Sequence, residues 1–235
     1  MNSLIKHLAA FPDAQAAAAE ECGRILGDNR MADLSDEPKM VYIRAVIKEI
    51  LRMCPVAAAG LRRQAGADVR YKNTIIPKGT ILLANLTALH WDEEMYKDPF
   101  VFRPERYLNH TQRSAFYANS GDVQARDHFT FGAGRRICPG IHLAENGLFL
   151  AVANLIWAYE FRPPLGDDGK ELAMDVSDDA FLDGAIRIPK EYKVRIIPRN
   201  AKRLEFVKTA WEEAKTDGYT MRGLNVSASG GILVK

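Results

Sequence analysis

Cysteine is scarce in this chain: Cys22, Cys54 and Cys138 are the three in 235 residues, and no two stand at a ligand-pair spacing. That argues against a disulfide scaffold and suits a reducing compartment. An excess of one charge is missing too. Lysine plus arginine number 32 against 30 acidic residues, a net of +2 with the signs interspersed. Bulk electrostatics therefore offers no nucleic-acid surface. No secretory signal is visible, and Met1–Ala10 is too short and too mixed to cross a bilayer. The longest apolar run, Gly147–Tyr159, carries Asn154 and falls short of the ~20 residues a spanning helix needs. Repeats and low-complexity tracts are absent, apart from the alanines of Ala14–Ala19.

What remains is a globular composition, long enough to bury a core as one large domain or two small ones. Pro12 opens a helix expected to run to Leu26, with Gly27 as its stop. Asp33-Leu34-Ser35-Asp36 is capping material ahead of a second helix from about Met40 to Met53, ended by Pro55. In that helix Ile43, Val46, Ile47, Ile50 and Cys54 form one apolar stripe, which puts Glu49 and Arg52 roughly opposite. Short strands are expected at Asp68–Tyr71, Thr74–Ile76 and Thr80–Leu83, separated by turns at Lys72-Asn73 and Pro77-Lys78-Gly79. Asn85–Asp92 reads as a short helix, and Glu93–Asp127, poor in apolar periodicity, as irregular. A long buried helix, apolar on all sides, is expected after Cys138, then strands near Phe161, Phe181–Ile188 and Tyr192–Ile197. Ala201–Thr216 reads as an appended surface helix and Asp217–Lys235 as a flexible tail containing Gly and Ser. The fold class is mainly α with small β sheets. Residues 1–200 form its main unit and 201–235 an appendage.

The most informative run is Phe131-Gly132-Ala133-Gly134-Arg135-Arg136-Ile137-Cys138-Pro139-Gly140. It sets one cysteine at the mouth of the long apolar helix. Backbone N–H groups of a tight turn and the positive end of a helix both stabilise a thiolate. Gly132 and Gly134 let the backbone turn where a Cβ would clash, and Phe131 can cover the sulfur. Read alone, the run also permits a blander account, a Gly-rich turn before a helix with a buried structural cysteine. A zinc site at Cys138 with His142 and His128 is the weaker alternative, because no further ligand pair accompanies them.

The run resembles the haem-binding loop of cytochrome P450s, F-x-x-G-x-R-x-C-x-G, at every fixed position. Two further marks follow the family's order. Glu49 and Arg52 form E-x-x-R, and Phe102-Arg103-Pro104-Glu105-Arg106 supplies a P-E-R segment. Alone, a Glu and Arg three apart are ordinarily a solvated pair. The resemblance implies instead that Glu49, Arg52 and Arg106 lock together as a buried charge set. It extends from about Leu8 to Arg199 and covers the C-terminal half of such an enzyme. The family's distal helix, with its A/G-G-x-D/E-T motif, has no counterpart in the sequence.

The resemblance also implies roles. Cys138 would be the axial ligand of haem iron, with Phe131, Gly132, Gly134 and Gly140 shaping its loop. Arg136 would pair with one propionate of haem b (iron protoporphyrin IX), and Arg62 or Arg63, preferably Arg63, with the other. Arg135 falls on the donor-docking face or is an ordinary surface charge. Val56–Leu61 and Leu182–Ile186 match substrate-contacting segments, and small side chains in the first imply a roomy apolar pocket. The implied activity is monooxygenation of a small apolar organic molecule, with electrons from NADPH-cytochrome P450 reductase. The alternatives are a reductase-independent haem-thiolate peroxygenase or isomerase, and a non-enzymatic remnant. Relatives of this style sit on the cytoplasmic face of the endoplasmic reticulum membrane; with no anchor of its own, this chain is expected in the cytoplasm when expressed alone.

Overall fold

Helix formers dominate the N-terminal third, and their spacing decides which faces meet. The computed structural model describes residues 1–217 except Ala185, and beyond them the backbone of three short strands. Helix α2 (Pro12–Leu26) has proline in its first turn, and Gly27, at a φ of 59°, closes it by donating to the Gly23 carbonyl. A helix the sequence reading lacked, α1 (Asn2–Ala10), precedes it and buries Leu4 and Leu8, one turn apart. After a two-turn 3-10 helix at Leu34–Lys39, opened by a capping box between Asp33 and Asp36, comes α3 (Val41–Met53).

Helix α6 (Ile141–Ala158) is the central element and packs against α2 and α3. Phe149, Val152, Ala153, Ile156 and Trp157 are buried along it. Asn154, the polar interruption in its apolar run, is spent on backbone. Its amide accepts from Ala32 N at 2.7 Å and donates to Ala32 O at 3.2 Å. The expectation of burial on all sides fails in the first turns, where Leu143 is 79 % exposed. That end borders a cleft instead of a neighbouring element. Among the described residues α6 is also the one helix long and apolar enough to cross a membrane.

Small antiparallel pairs complete the fold. They are β1 (Arg63–Gln64) with β4 (Ile81–Leu82), β2 (Val69–Tyr71) with β3 (Thr74–Ile76), and β5 (Tyr159–Arg162) with β6 (Arg195–Pro198). The buried Gln15 amide joins α1, α2 and β5, donating to Leu8 O and Phe161 O and accepting from Phe161 N at 2.7 Å. Short helices α4 (Leu86–His90) and α5 (Ser114–Ala118) and a single turn at Pro104–Tyr107 punctuate the otherwise irregular middle. Phe181–Ile188 is not a strand: Asp183-Gly184 turns the chain back, leaving one bridge between Phe181 and Pro189. Helix α7 (Ala201–Asp217) is tied on by Arg203, which donates to Asp28 at 2.5 Å and to Trp157 O at 2.8 Å. Beyond it lie β7 (Tyr219–Met221), β8 (Leu224–Val226) and β9 (Ile232–Leu233); the rest of the expected tail falls outside the described residues. The architecture is mainly α with small β sheets.

Candidate functional site

Backbone geometry builds the Cys138 loop. Gly132 and Gly134 have φ of 79° and 63°, in the left-handed region that a side chain resists. Those turns let Cys138 N donate to Phe131 O at 2.8 Å and Ile137 N to Gly134 O at 3.0 Å. The sulfur is thereby held just ahead of α6, whose N-cap is Gly140. Gly140 itself has ordinary backbone angles, and a Cβ there would lie 3.9 Å from the Cys138 sulfur, a normal contact.

Two clefts, about 630 and 610 Å³, meet at Thr130, Phe131 and Cys138. Ile50, Leu51, Leu148 and Val152 give the first its apolar wall. Leu61, Leu82 and Leu83 do so for the second, where Arg63 and Arg136 are the charged side chains. No acid lines either cleft among the described residues. A thiol between apolar walls, with two arginines lining the second cleft, has the donor chemistry for a flat apolar macrocycle bearing two carboxylates. The site residues therefore fit haem. Of the two arginine candidates, Arg63 lines this cleft and Arg62 does not, and Arg135 lines neither cleft. Three residues before Arg63 the chain passes close to the Ala84 backbone at Gly60, where a Cβ would come within 2.7 Å of Ala84 O.

The platform under the loop consists of two buried charge sets. In the first, Arg52 grips Glu49 with two parallel hydrogen bonds of 2.8 and 2.9 Å, both side chains fully buried. Arg106 Nε and Arg103 N add bonds of 3.1 and 2.9 Å to the same carboxylate. Arg52 also donates to His90 O at 2.8 Å and lies over the Tyr96 ring. The helical projection had put Glu49 and Arg52 opposite the core. In the fold His90, Tyr96 and Arg103–Arg106 cover that second face of α3.

Sequence reasoning missed the second set. Asp127, fully buried, accepts from Ser114 Oγ at 2.6 Å and pairs with Lys48 at 3.3 Å. Its backbone carbonyl takes the hydroxyls of both Tyr96 and Tyr107. Burial pushes the Asp127 carboxyl up, but His128, Lys48 and the Ser114 hydroxyl outweigh it and hold it below the usual carboxylate range. Burial lowers Lys48 and His128 from their ordinary values. His90 is pushed down to about 3 by burial, then by His128 and Arg52, and its Nε2 accepts from Phe129 N at 2.8 Å. Thr130 Oγ1 donates to Leu51 O at 2.6 Å. Residues 127–130 are thus bolted to α3 and α4 immediately before the loop begins. The one local signal was the Asp127-His128 pair just upstream of Phe131.

The remaining candidates fall elsewhere. His128 belongs to this platform and His142 is exposed, so the two share no site with Cys138. Val56 lines the first cleft and Ala57, Gly60 and Leu61 the second. Leu182–Gly184 border a separate hollow, and it is Arg187–Pro189 that reach the Cys138 cleft.

Comparison with known proteins points to one family. The cytochrome P450 family model matches residues 1–196. Cytochrome P450 monooxygenase pgmC of Aspergillus terreus is 48 % identical over 230 residues, covering 98 % of this chain and 43 % of the relative. Cytochrome P450 monooxygenase patI of Aspergillus clavatus is 37 % identical over 213 residues, 91 % of this chain and 40 % of its own length. A zebrafish cytochrome P450 solved with abiraterone superposes with a TM-score of 0.70 at 28 % identity, covering 85 % of this chain and 42 % of that one. The chain spans about two fifths of the relatives it matches. With a family match over most of its length, and a cysteine loop held between clefts that suit haem, this chain belongs to the cytochrome P450 family.

Proposed function

We propose that this chain supplies the thiolate side of a haem-thiolate monooxygenase that inserts one oxygen atom of dioxygen into a small organic substrate. The electrons would come from NADPH-cytochrome P450 reductase, on the cytoplasmic face of the endoplasmic reticulum. One observation carries the reading: Cys138 stands where two apolar clefts meet, the second of them also lined by Arg63 and Arg136. When bound through a cysteine thiolate, haem b supplies the oxygen-activating chemistry.

This chain's residues have separable tasks. Cys138 offers its sulfur from a turn whose φ angles at Gly132 and Gly134 fix where the thiol emerges. Arg63 and Arg136 can each take a carboxylate through paired N–H groups, which sets the in-plane orientation of the macrocycle. The Glu49 and Asp127 sets hold the chain entering the loop, so the sulfur is located relative to α3 and not by the loop alone. Ile50, Leu51, Leu148 and Val152 give the first cleft an apolar wall beside Cys138.

The test is turnover of the haem-loaded protein with the reductase, NADPH and isotopically labelled dioxygen on a panel of apolar compounds. One labelled oxygen atom in the product, dependent on reductase, is the expected result. Product formed equally well from hydrogen peroxide without reductase would favour the peroxygenase alternative. Haem bound without any oxygenated product would favour the remnant.

A further inference from the structure

The short helix α5 has no cap of its own. Arg113 occupies its N-cap position without a side-chain bond to the backbone, and the Ser114 hydroxyl is spent on Asp127. Another element supplies the cap. Glu145, in the second turn of α6, accepts from Ser114 N at 2.6 Å, with the Ala115 N–H as a second donor to the same carboxylate. Ser114 is buried, so without Glu145 its N–H would have no water to turn to. Beside this contact Arg113 Nη1 donates to Asn146 Oδ1 at 2.7 Å. Both bonds hold α5 against α6 and leave its apolar side on the Cys138 loop. Ala115 and Ala118 pack there with Ile141, and Phe131 and Ile137 close the same small cluster. Its three buried members stand apart from the main core. The loop residues in it bracket the sulfur: Ile137 and Ile141 lie one before and three after Cys138, and Phe131 O accepts the Cys138 N–H at 2.8 Å.

We propose that Glu145 is a positioning residue for Cys138: by capping α5 it fixes the layer that backs the loop, and so sets where the thiol stands between the two clefts. The Glu49 and Asp127 sets anchor the chain that enters the loop, whereas Glu145 acts on the loop itself and on its exit into α6. The proposal rests on the haem-thiolate reading for the ligand role of Cys138, and on packing alone for the order of the loop. Burial raises the Glu145 carboxyl above its ordinary range against the pull of the two N–H groups, so this cap is held in place at a cost that a solvated acid would not bear.

Two readouts test it, one of them without haem. In the haem-free chain, hydrogen exchange followed by mass spectrometry reports on the amides of residues 131–141. Glu145→Ala should speed their exchange about tenfold, the scale of one hydrogen bond to a charged group. In the haem-loaded chain, the reduced carbon-monoxide spectrum should move by a similar factor, about tenfold, from the red-shifted thiolate band toward that of a neutral-thiol complex. Glu145→Gln keeps an acceptor oxygen and should restore most of both. The control is Gln15→Ala, which cuts the hydrogen bonds joining α1, α2 and β5; it should lower the melting temperature and move neither readout. If Glu145→Ala does not fold, Glu145→Asp, one methylene shorter, replaces it with a smaller change of the same sign. Unchanged exchange and band ratio in the Glu145 variant would overturn the proposal. So would equal changes in Gln15→Ala, because general stability would then govern both, or faster exchange with an unaltered thiolate band, because the loop would loosen without moving the sulfur. A parent chain with haem bound and no thiolate band would sink the haem-thiolate reading instead, while the exchange comparison still decides whether Glu145 orders the loop.

Discussion

Glu49→Ala removes the acceptor shared by four hydrogen bonds, two from Arg52, one from Arg106 Nε and one from Arg103 N. Arg52 is fully buried and the Arg106 side chain 9 % exposed, so neither guanidinium can recover its loss in water. Arg106 keeps the carbonyls of Lys97, Asp98 and Val101, whereas Arg52 keeps only His90 O. Breaking a buried pair by deleting one partner costs about 3–5 kcal/mol. The four bonds belong to one network and do not add, so about 4 kcal/mol is the expected loss. Urea unfolding followed by circular dichroism measures it, with the midpoint converted through an unchanged slope. A loss of about 1 kcal/mol or less, the range of an exposed ion pair, would refute the buried-set account. Arg52→Met tests the converse. It leaves Glu49 with two of its four donors and should cost less than the carboxylate deletion.

Acid should destabilise the fold well above the carboxylate range. Burial holds His7 at about 4 and His90 at about 3, both below the ~6.5 of an unfolded histidine. Their contribution is complete above about pH 6.5 and is lost as pH falls toward 4, because there the unfolded chain binds two more protons. The expected slope is about 2.7 kcal/mol per pH unit in that window; unfolding midpoints that stay flat from about pH 7 to 4.5 would contradict it. At the second cleft, Arg136→Ala and Arg63→Ala should each weaken haem binding about tenfold or more in a Soret titration. Arg62→Ala and Arg135→Ala should leave that titration unchanged, and a larger effect from Arg62 would move the assignment by one residue.

Local chemistry wrote much of this fold openly into the sequence. Pro12 and Gly27 bracket α2, Lys72-Asn73 turns β2 into β3, and Cys138 sits ahead of α6, each decided by residues within a few positions. Burial of charge was not legible from helical projection, because a single apolar stripe assumes a single partner. Two faces of α3 are covered, and the partners of Glu49 on the second come from 54 and 57 residues away. Lys48 and Asp127 were hidden for the same reason, since each reads as a solvated charge until Ser114, Tyr96 and Tyr107 gather around them. The error at Phe181–Ile188 has another cause. A strand was expected there, but a turn at Asp183-Gly184 redirects the chain and brings Arg187 to the cleft.

The account turns on Cys138 as a haem ligand, and the reduced carbon-monoxide difference spectrum of the haem-loaded chain tests that most directly. The expected result is the red-shifted Soret band of a thiolate-ligated ferrous complex, lost in Cys138→Ser while far-ultraviolet circular dichroism stays unchanged. An unaltered band in Cys138→Ser would show that another group holds the iron. No such band in the folded parent chain, with haem demonstrably bound, would contradict thiolate ligation at this loop.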